Sequence, residues 1–353
     1  MSLGLSVIVI GKNESKKLPV MIRSLDRLKQ NCILDTDFVY VDSASSDNSV
    51  EIARSFFDQV IVLKNSPDLC AAAGRNIGTI NARKQWALYL DGDMELCDEF
   101  IDALPMLINS TETKCGYMGL YEHVYNDGSV RKDGYGWRNN FDCKGETFVR
   151  HFGGAVLLPR ELVLQAGNYN PGVFSNEEID LYSRIRAIEG KVKFVNIKMI
   201  KHHTYHFPKL SILMGFIWPT KFLGKKFFGF GQLLASRFYN RQLSSLIRYY
   251  PYPFVYWGAL IFSSILIFFK QTLLSSFILT AMGMYIIQRK GAGFLILYPG
   301  LISQAILGWH KYNRKFKPQI MFKYSKNKEA VFGLAPITCL VAIFFKALFL
   351  EVT

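Results

Sequence analysis

The spacing of apolar and polar positions divides the chain into three regimes. From Leu5 to about residue 90, short apolar runs alternate with helix-period segments. Leu5-Ser-Val-Ile-Val-Ile10 is β-branched and ends in Gly11-Lys12-Asn13-Glu14, which predicts a buried strand with a polar loop at its carboxyl end. Leu18, Ile22, Leu25 and Leu28 then recur at helical spacing, predicting a helix to Asn31. Asp37 to Asp42 and Gln59 to Leu63 predict two further strands, with a helix over Ser49–Phe57 between them that Asp47 can cap. A helix from Cys70 to Lys84 leads into a fourth strand, Trp86 to Leu90, ending at Asp91. Strand–helix alternation of this kind implies a mostly parallel, Rossmann-like sheet with helices on both faces.

Between 115 and 160 the pattern changes to alternating stretches and turns such as Asn126-Asp127-Gly128, as in antiparallel strands. Gly153 to Leu158 returns a strand to the core, and Asn176-Glu177-Glu178-Ile179-Asp180-Leu181 opens a helix to about Glu189. Acidic residues suit that first turn. After Phe207 the chain mixes Phe, Trp and Leu with Lys and Arg. Near-continuous apolar runs follow at Pro253–Phe269, Leu273–Ile287, Phe294–Trp309 (broken by Pro299-Gly300) and Val331–Leu350. The expected division is a catalytic domain over 1–205, amphipathic interfacial helices over 206–249 and transmembrane or membrane-associated helices over 250–353. The basic segment from Lys311 to Lys328 belongs on the cytosolic side, so the third run is expected to return or to lie in the interface, leaving three crossings.

Charge sharpens this division. The 353 residues carry a formal charge of +14. The basic residues concentrate after residue 190, beside aromatics and apolar runs, which favours an anionic membrane face over nucleic acid. Zinc-finger spacing and RNA-binding aromatic motifs are absent, so nucleic acid is not an expected partner. The six cysteines show no paired spacing, consistent with a reducing compartment. No signal peptide is read at the N-terminus.

The candidate chemistry lies at predicted strand ends. Asn13, Glu14, Asp42, Asp47, Asp91 and Asp93 all fall there, where open α/β sheets bind ligands. Asp91-Gly92-Asp93 sets two carboxylates one residue apart, separated by a residue that lets a ligand approach the backbone. Hard cations such as Mg2+ or Mn2+ take oxygen ligands of this kind and bind phosphate oxygens as well. Glu177, Glu178 and Asp180 are helix caps or a general base. His202, His203 and His206 form a third cluster.

These segments together resemble the family 2 glycosyltransferases, inverting enzymes with the A-type nucleotide-sugar-binding fold. The matching residues are Val7 to Glu14, Val41 to Asp47, Ala73-Gly74-Arg75-Asn76-Ile77-Gly78, Asp91 to Asp93 and Asn176 to Leu181, in order over residues 5 to about 205. The resemblance implies that Glu14 and Asp42 contact base and ribose. It places Arg75 near the pyrophosphate or ribose, Asp93 on the metal, and Asp91 on the ribose or sharing the metal. Glu178 would be the base, with Glu177 as its substitute, and His202 would lie near the diphosphate and metal. No Gln-x-x-Arg-Trp sequence follows the base, which points to transfer of a single sugar. The implied reaction moves a sugar from a nucleotide-diphosphate sugar to a lipid-linked acceptor, a polyprenyl-diphosphate glycan of a bacterial pathway, at the inner membrane with the catalytic domain in the cytosol. A non-catalytic nucleotide-sugar-binding scaffold and a nucleotidyltransferase are the alternatives.

Overall fold

The computed structural model describes residues 4–110, 112–133, 140–141, 147–149, 151–205, 222–249, 262–269, 271–272, 274–281, 305–313, 315–325 and 328–331. The first half follows the apolar periodicity closely. Strand β1 (Gly4–Gly11), helix α1 (Leu18–Asn31), β2 (Asp35–Asp42), α2 (Ser49–Phe56), β3 (Gln59–Leu63), α3 (Ala71–Asn81) and β4 (Trp86–Asp91) alternate in sequence. β1 pairs in parallel with β2 and β4, and β2 with β3. The spatial order β3-β2-β1-β4 reverses direction at β1, so the loops after β1 and β4 meet at a topological switch point.

Both faces are covered. Ile10, Val39, Val41, Ile61 and Leu63 pack against Ala72, Ala73 and Ile77 of α3. The other face buries Val7, Val9, Phe38 and Tyr40 beneath Met21, Leu25 and Leu28 of α1. Each fully buried aliphatic side chain contributes about 1.5–3 kcal/mol, which makes this sheet the rigid base of the site.

The second half departs from simple alternation. β5 (Met94–Leu96), α4 (Asp98–Ile108), β6 (Cys115–Tyr125), β7 (Val130–Asp133), β8 (Asn140–Phe141), β9 (Thr147–Phe148), β10 (Val156–Pro159), α5 (Arg160–Gln165), α6 (Glu177–Ala187) and β11 (Lys191–Thr204) follow. β10 lies antiparallel between β4 and β6, extending the sheet. β11 runs parallel to β6 and antiparallel to β5. Its lysines pair within the chain: Lys191 and Lys193 with Glu112, Lys198 with Glu99 and Glu122, and Lys201 with Glu95.

Beyond residue 205 the described elements are α7 (Phe222–Tyr239), α8 (Leu243–Tyr249), β12 (Ile320–Ser325) and β13 (Lys328–Val331), with helical stretches at 262–268, 274–281 and 305–310. The expected boundary at residue 205 does not coincide with a break in packing. Leu233 of α7 and Leu246 of α8 are buried with Val173 and Ile179 of the first 205 residues. A side chain at Gly231 would overlap Ala305 O, and one at Gly308 would overlap Phe228 O, so α7 and the 305–310 helix touch backbone to backbone. β12 then pairs antiparallel with β3, with Phe322 opposite Val62 and Tyr324 opposite Val60.

Among the described residues no helix is long and apolar enough to cross a membrane. Most of the four apolar runs lies outside the described residues.

Candidate active site

Three loops converge at the carboxyl ends of β1, β2 and β4. Asn13 (φ 59°) and Ala44 (φ 59°) turn through the left-handed region there, and Asn176 (φ 66°) does so just before α6. Non-glycine residues adopt this conformation only where neighbours hold them. The neighbours here are side-chain bonds. Ser45 N and Oγ donate to Asp42 (2.7 and 2.6 Å), Asn13 N donates to Ser45 Oγ (2.8 Å), and Ser46 N donates to Asn13 Oδ1 (2.8 Å). Asp47 accepts from Ser49 N (3.0 Å) and Ser15 N (3.1 Å). Burial works to raise the Asp47 pKa, yet the Ser49 and Ser15 side chains, and then their backbone N–H groups, bring it down to about 2. Asp42 is wholly buried, and its bonds to Ser45 brace the loop that faces the site.

The two aspartates of Asp91-Gly92-Asp93 turn to different partners. Asp91 Oδ1 accepts from Arg75 Nη2 (2.7 Å), and Arg75 Nη1 donates to Glu177 Oε1 (2.6 Å) with Glu178 Oε1 at 3.5 Å. Arg75 is buried over the Tyr169 ring, 5.7 Å from its centroid. The guanidinium ties the β4 end to the first turn of α6. Burial opposes its charge, and Asp91, Glu178 and Glu177 hold it cationic. Burial and Glu178 push Glu177 upward against the pull of Arg75. Glu177 is enclosed, whereas Glu178 keeps an open edge. Gly154 lies over this tie. A β-carbon there would overlap Asp91 Oδ2 and come within 3.0 Å of Arg75 Nη2.

Asp93 points the other way. Its Oδ2 meets His202 Nε2 at 3.2 Å and accepts from Lys17 Nζ at 3.3 Å. The backbone sets this contact, because His202 lies opposite Met94 across the β5–β11 ladder and His203 N donates to Asp93 O (2.9 Å). Burial raises the Asp93 carboxyl, but His202 and Lys17 outweigh it and hold the pKa low. Burial would lower the His202 pKa, and Asp93 more than reverses that. Glu14 lies beside Gly92, and burial together with Asp93 lifts its pKa to about 7.

The structure thus brings Glu14, Asp91, Asp93 and His202 into one cluster and joins it through Arg75 to Glu177 and Glu178. His203 turns aside to Glu95 (3.4 Å), and His206 lies outside the described residues. Sequence reasoning missed Lys17, whose one available signal was its i+3 spacing from Glu14, their side chains 4.0 Å apart. It also missed His123, whose Nδ1 is 3.2 Å from His202 Nδ1, and Arg237 of α7, which pairs with Asp180 at 2.8 Å. Neither carries a local sequence signal.

Among the described residues no group of three or more His, Cys, Asp or Glu side chains is arranged to hold a metal ion. Asp91, expected to share one, has an oxygen occupied by Arg75. The donor set at Asp93 and His202 still fits a hard divalent ion. Mg2+ and Mn2+ commonly rest on one or two protein ligands and complete their shell with water and substrate phosphates.

Residues 6–160 match the family described as Glycosyl transferase family 2. An uncharacterized glycosyltransferase of Haemophilus influenzae is 28% identical over 104 residues, which span 28% of this chain and 34% of that protein. A crystal structure of GalNAc-T7 with UDP, GalNAc and Mn2+ is 15% identical with a TM-score of 0.46, covering 66% of this chain and 48% of that one. The crystal structure of S. aureus TarS 1-349 with UDP-GlcNAc is 12% identical, covers 94% of this chain and 99% of that one, and has a TM-score of 0.51. The fold described above is thus similar to that of TarS 1-349, and within it the family 2 match covers β1 to β10 and the Asp91-Gly92-Asp93 turn.

Proposed function

We propose that this protein is an inverting glycosyltransferase that moves one sugar from a nucleotide-diphosphate sugar to a lipid-linked acceptor at a membrane. The acceptor class we assign is a polyprenyl-diphosphate-linked glycan of bacterial polysaccharide or glycoconjugate assembly, reached from the cytosolic face of the inner membrane. The observation that carries this reading is the Arg75 tie, which fixes an open carboxylate, Glu178, at a set distance from Asp91-Gly92-Asp93. The match of residues 6–160 to glycosyl transferase family 2 and the likeness to a fold crystallised with UDP-GlcNAc support a nucleotide-sugar donor.

In this reading Glu178 accepts the proton of the acceptor hydroxyl as its oxygen attacks the anomeric carbon. The bond to the nucleoside diphosphate breaks on the opposite face. Glu177 keeps Arg75 in place instead of acting as the base, because its oxygen is already engaged and enclosed. Lys17 supplies an ammonium next to Asp93, within reach of a diphosphate bound there. Asp93 and His202 would hold a Mg2+ or Mn2+ ion, which would neutralise charge on the departing diphosphate.

Transfer of label from nucleotide sugars to membrane lipid extract tests the reading. Asp93→Ala and Glu178→Gln are each expected to lower turnover by about 100-fold or more. Unchanged turnover in both variants would overturn the assignment. Release of pyrophosphate instead of transfer would favour a nucleotidyltransferase, and donor binding without turnover would favour a scaffold.

A further inference from the structure

Residues 262–268 and 274–281 form two helical stretches joined by a turn. Backbone bonds close the turn: Phe269 N donates to Ile265 O (3.0 Å), Gln271 N to Leu266 O (2.8 Å) and Ser275 N to Gln271 O (3.1 Å). The polarity of this pair is inverted. Ser263 and Ser275 are each 1% exposed, and Ser275 Oγ donates to Ser263 O (3.1 Å). Phe262, Ile265, Phe269 and Leu274 face outward, with Phe268 82% and Phe277 72% exposed. A helix pair in water buries its apolar stripe and exposes its serines. Small polar residues inside and phenyl rings outside suit a hydrocarbon surrounding, where hydroxyl contacts join helices and apolar burial does not.

Both ends of this pair are tied to the catalytic unit. On the entering side, Leu246 of α8 is buried with Val173 and Ile179. On the returning side, Ala305 meets Gly231 of α7, Lys64 N donates to Gln319 O (2.7 Å), and β12 pairs with β3. Basic residues flank both sides in sequence, with Arg241 and Arg248 before and Arg289-Lys290 after. That distribution complements the anionic headgroups of a bilayer surface.

We infer that the helical stretches 262–268 and 274–281 form a hairpin that enters an anionic lipid bilayer and returns, bringing the chain back to the catalytic sheet on the side from which it left. Lys311 to Lys323 stay on the catalytic side, as the positive-inside tendency requires. The hairpin deepens the lipid-acceptor reading above. Its test uses no turnover, so either can fail alone.

The full chain is reconstituted with phosphatidylcholine vesicles containing about 30 mol% phosphatidylglycerol. In a background with Cys32, Cys143 and Cys339 changed to Ser, Phe268→Cys and Phe277→Cys carry an environment-sensitive fluorophore. Both probes are expected to shift to the blue and to be quenched by nitroxides on acyl chains but not by aqueous iodide. The double variant Phe268→Asp/Phe277→Asp is expected to lower vesicle-bound protein by about tenfold or more. Arg248→Cys and Lys311→Cys are expected to react with an impermeant maleimide from the same side of the vesicle. Opposite sidedness would overturn the hairpin. So would probes that stay quenchable by iodide while the protein sediments as a dimer, since the apolar face would then be a contact between copies.

Discussion

Side chains adjacent in sequence have separate duties here. Asp91 and Asp93 are two residues apart, yet one is tied to Arg75 and the other to His202 and Lys17. Their motif was legible in the sequence, because an apolar strand ending in two carboxylates at a parallel-sheet edge is a local pattern. Their partners carried no such local pattern, because they arrive from three other elements: Arg75 and His202 were placed at the site only through the family resemblance, and Lys17 was missed. The negative cluster has a consequence at Glu14. Burial, then Asp93, with smaller contributions from Asp91 and Asp47 and opposition from Lys17, raises this carboxyl from 4.5 to about 7. An acid with a raised folded pKa binds more protons folded than unfolded between those values. Its contribution to stability therefore falls as pH rises from about 4.5 to about 7 and then levels off. Glu14→Gln removes that slope. Its melting temperature relative to wild type should be higher at pH 8 than at pH 5, read by calorimetry at both. An equal difference at the two pH values would mean that the cluster does not act on Glu14.

At the scale of elements, helix α6 carries both glutamates and is held from two sides. Arg75 of α3 grips its first turn, and Arg237 of α7 reaches Asp180 Oδ1 (2.8 Å) and Ser183 Oγ (2.9 Å) from behind. Gln232 of α7 accepts from Phe174 N (2.8 Å), and Ser236 accepts from Asn170 Nδ2 (2.8 Å), so α7 also braces the chain leading into α6. The aromatic and basic composition of α7 reads as an interfacial helix, because its polar contacts are made to residues about 60 positions earlier. The same reason hides β11, whose lysines resemble a basic surface until β5, α4, β6 and the loop before β6 supply their glutamates. Arg237→Met should leave Asp180 buried with Arg184 alone and cost about 3 kcal/mol, since a buried charge loses one partner. Asp180→Asn in the same chain should recover part of that loss. Urea unfolding of the two single variants and the double variant measures the coupling, and additive losses would show that the pair does not act as a unit.

The whole molecule closes on itself in a way that local periodicity does not reveal. The first four strands were legible because each is a short apolar run bounded by polar loops. β12 was not, because Ile320-Met-Phe-Lys-Tyr-Ser325 is exposed at its start and reaches β3 across some 250 residues of chain. Its side chains reinforce the pairing. Lys323 Nζ donates to Asn81 Oδ1 (2.7 Å), and the Arg54 guanidinium lies 4.9 Å from the Phe322 ring centroid. With Gly231 against Ala305, this fastens the segment from 305 to 325 to the rest of the fold at two separate places. A protease site introduced at Arg289-Lys290 should therefore give two fragments that stay together. After cleavage they should co-elute on gel filtration in detergent and separate only in denaturant. A second cleaved sample carrying Lys323→Glu sets an ammonium-binding asparagine against a carboxylate and should release the C-terminal fragment more readily. Separation of the unsubstituted fragments under native conditions would mean that neither the β3–β12 ladder nor the Gly231–Ala305 contact is strong enough to hold the two parts of the chain together.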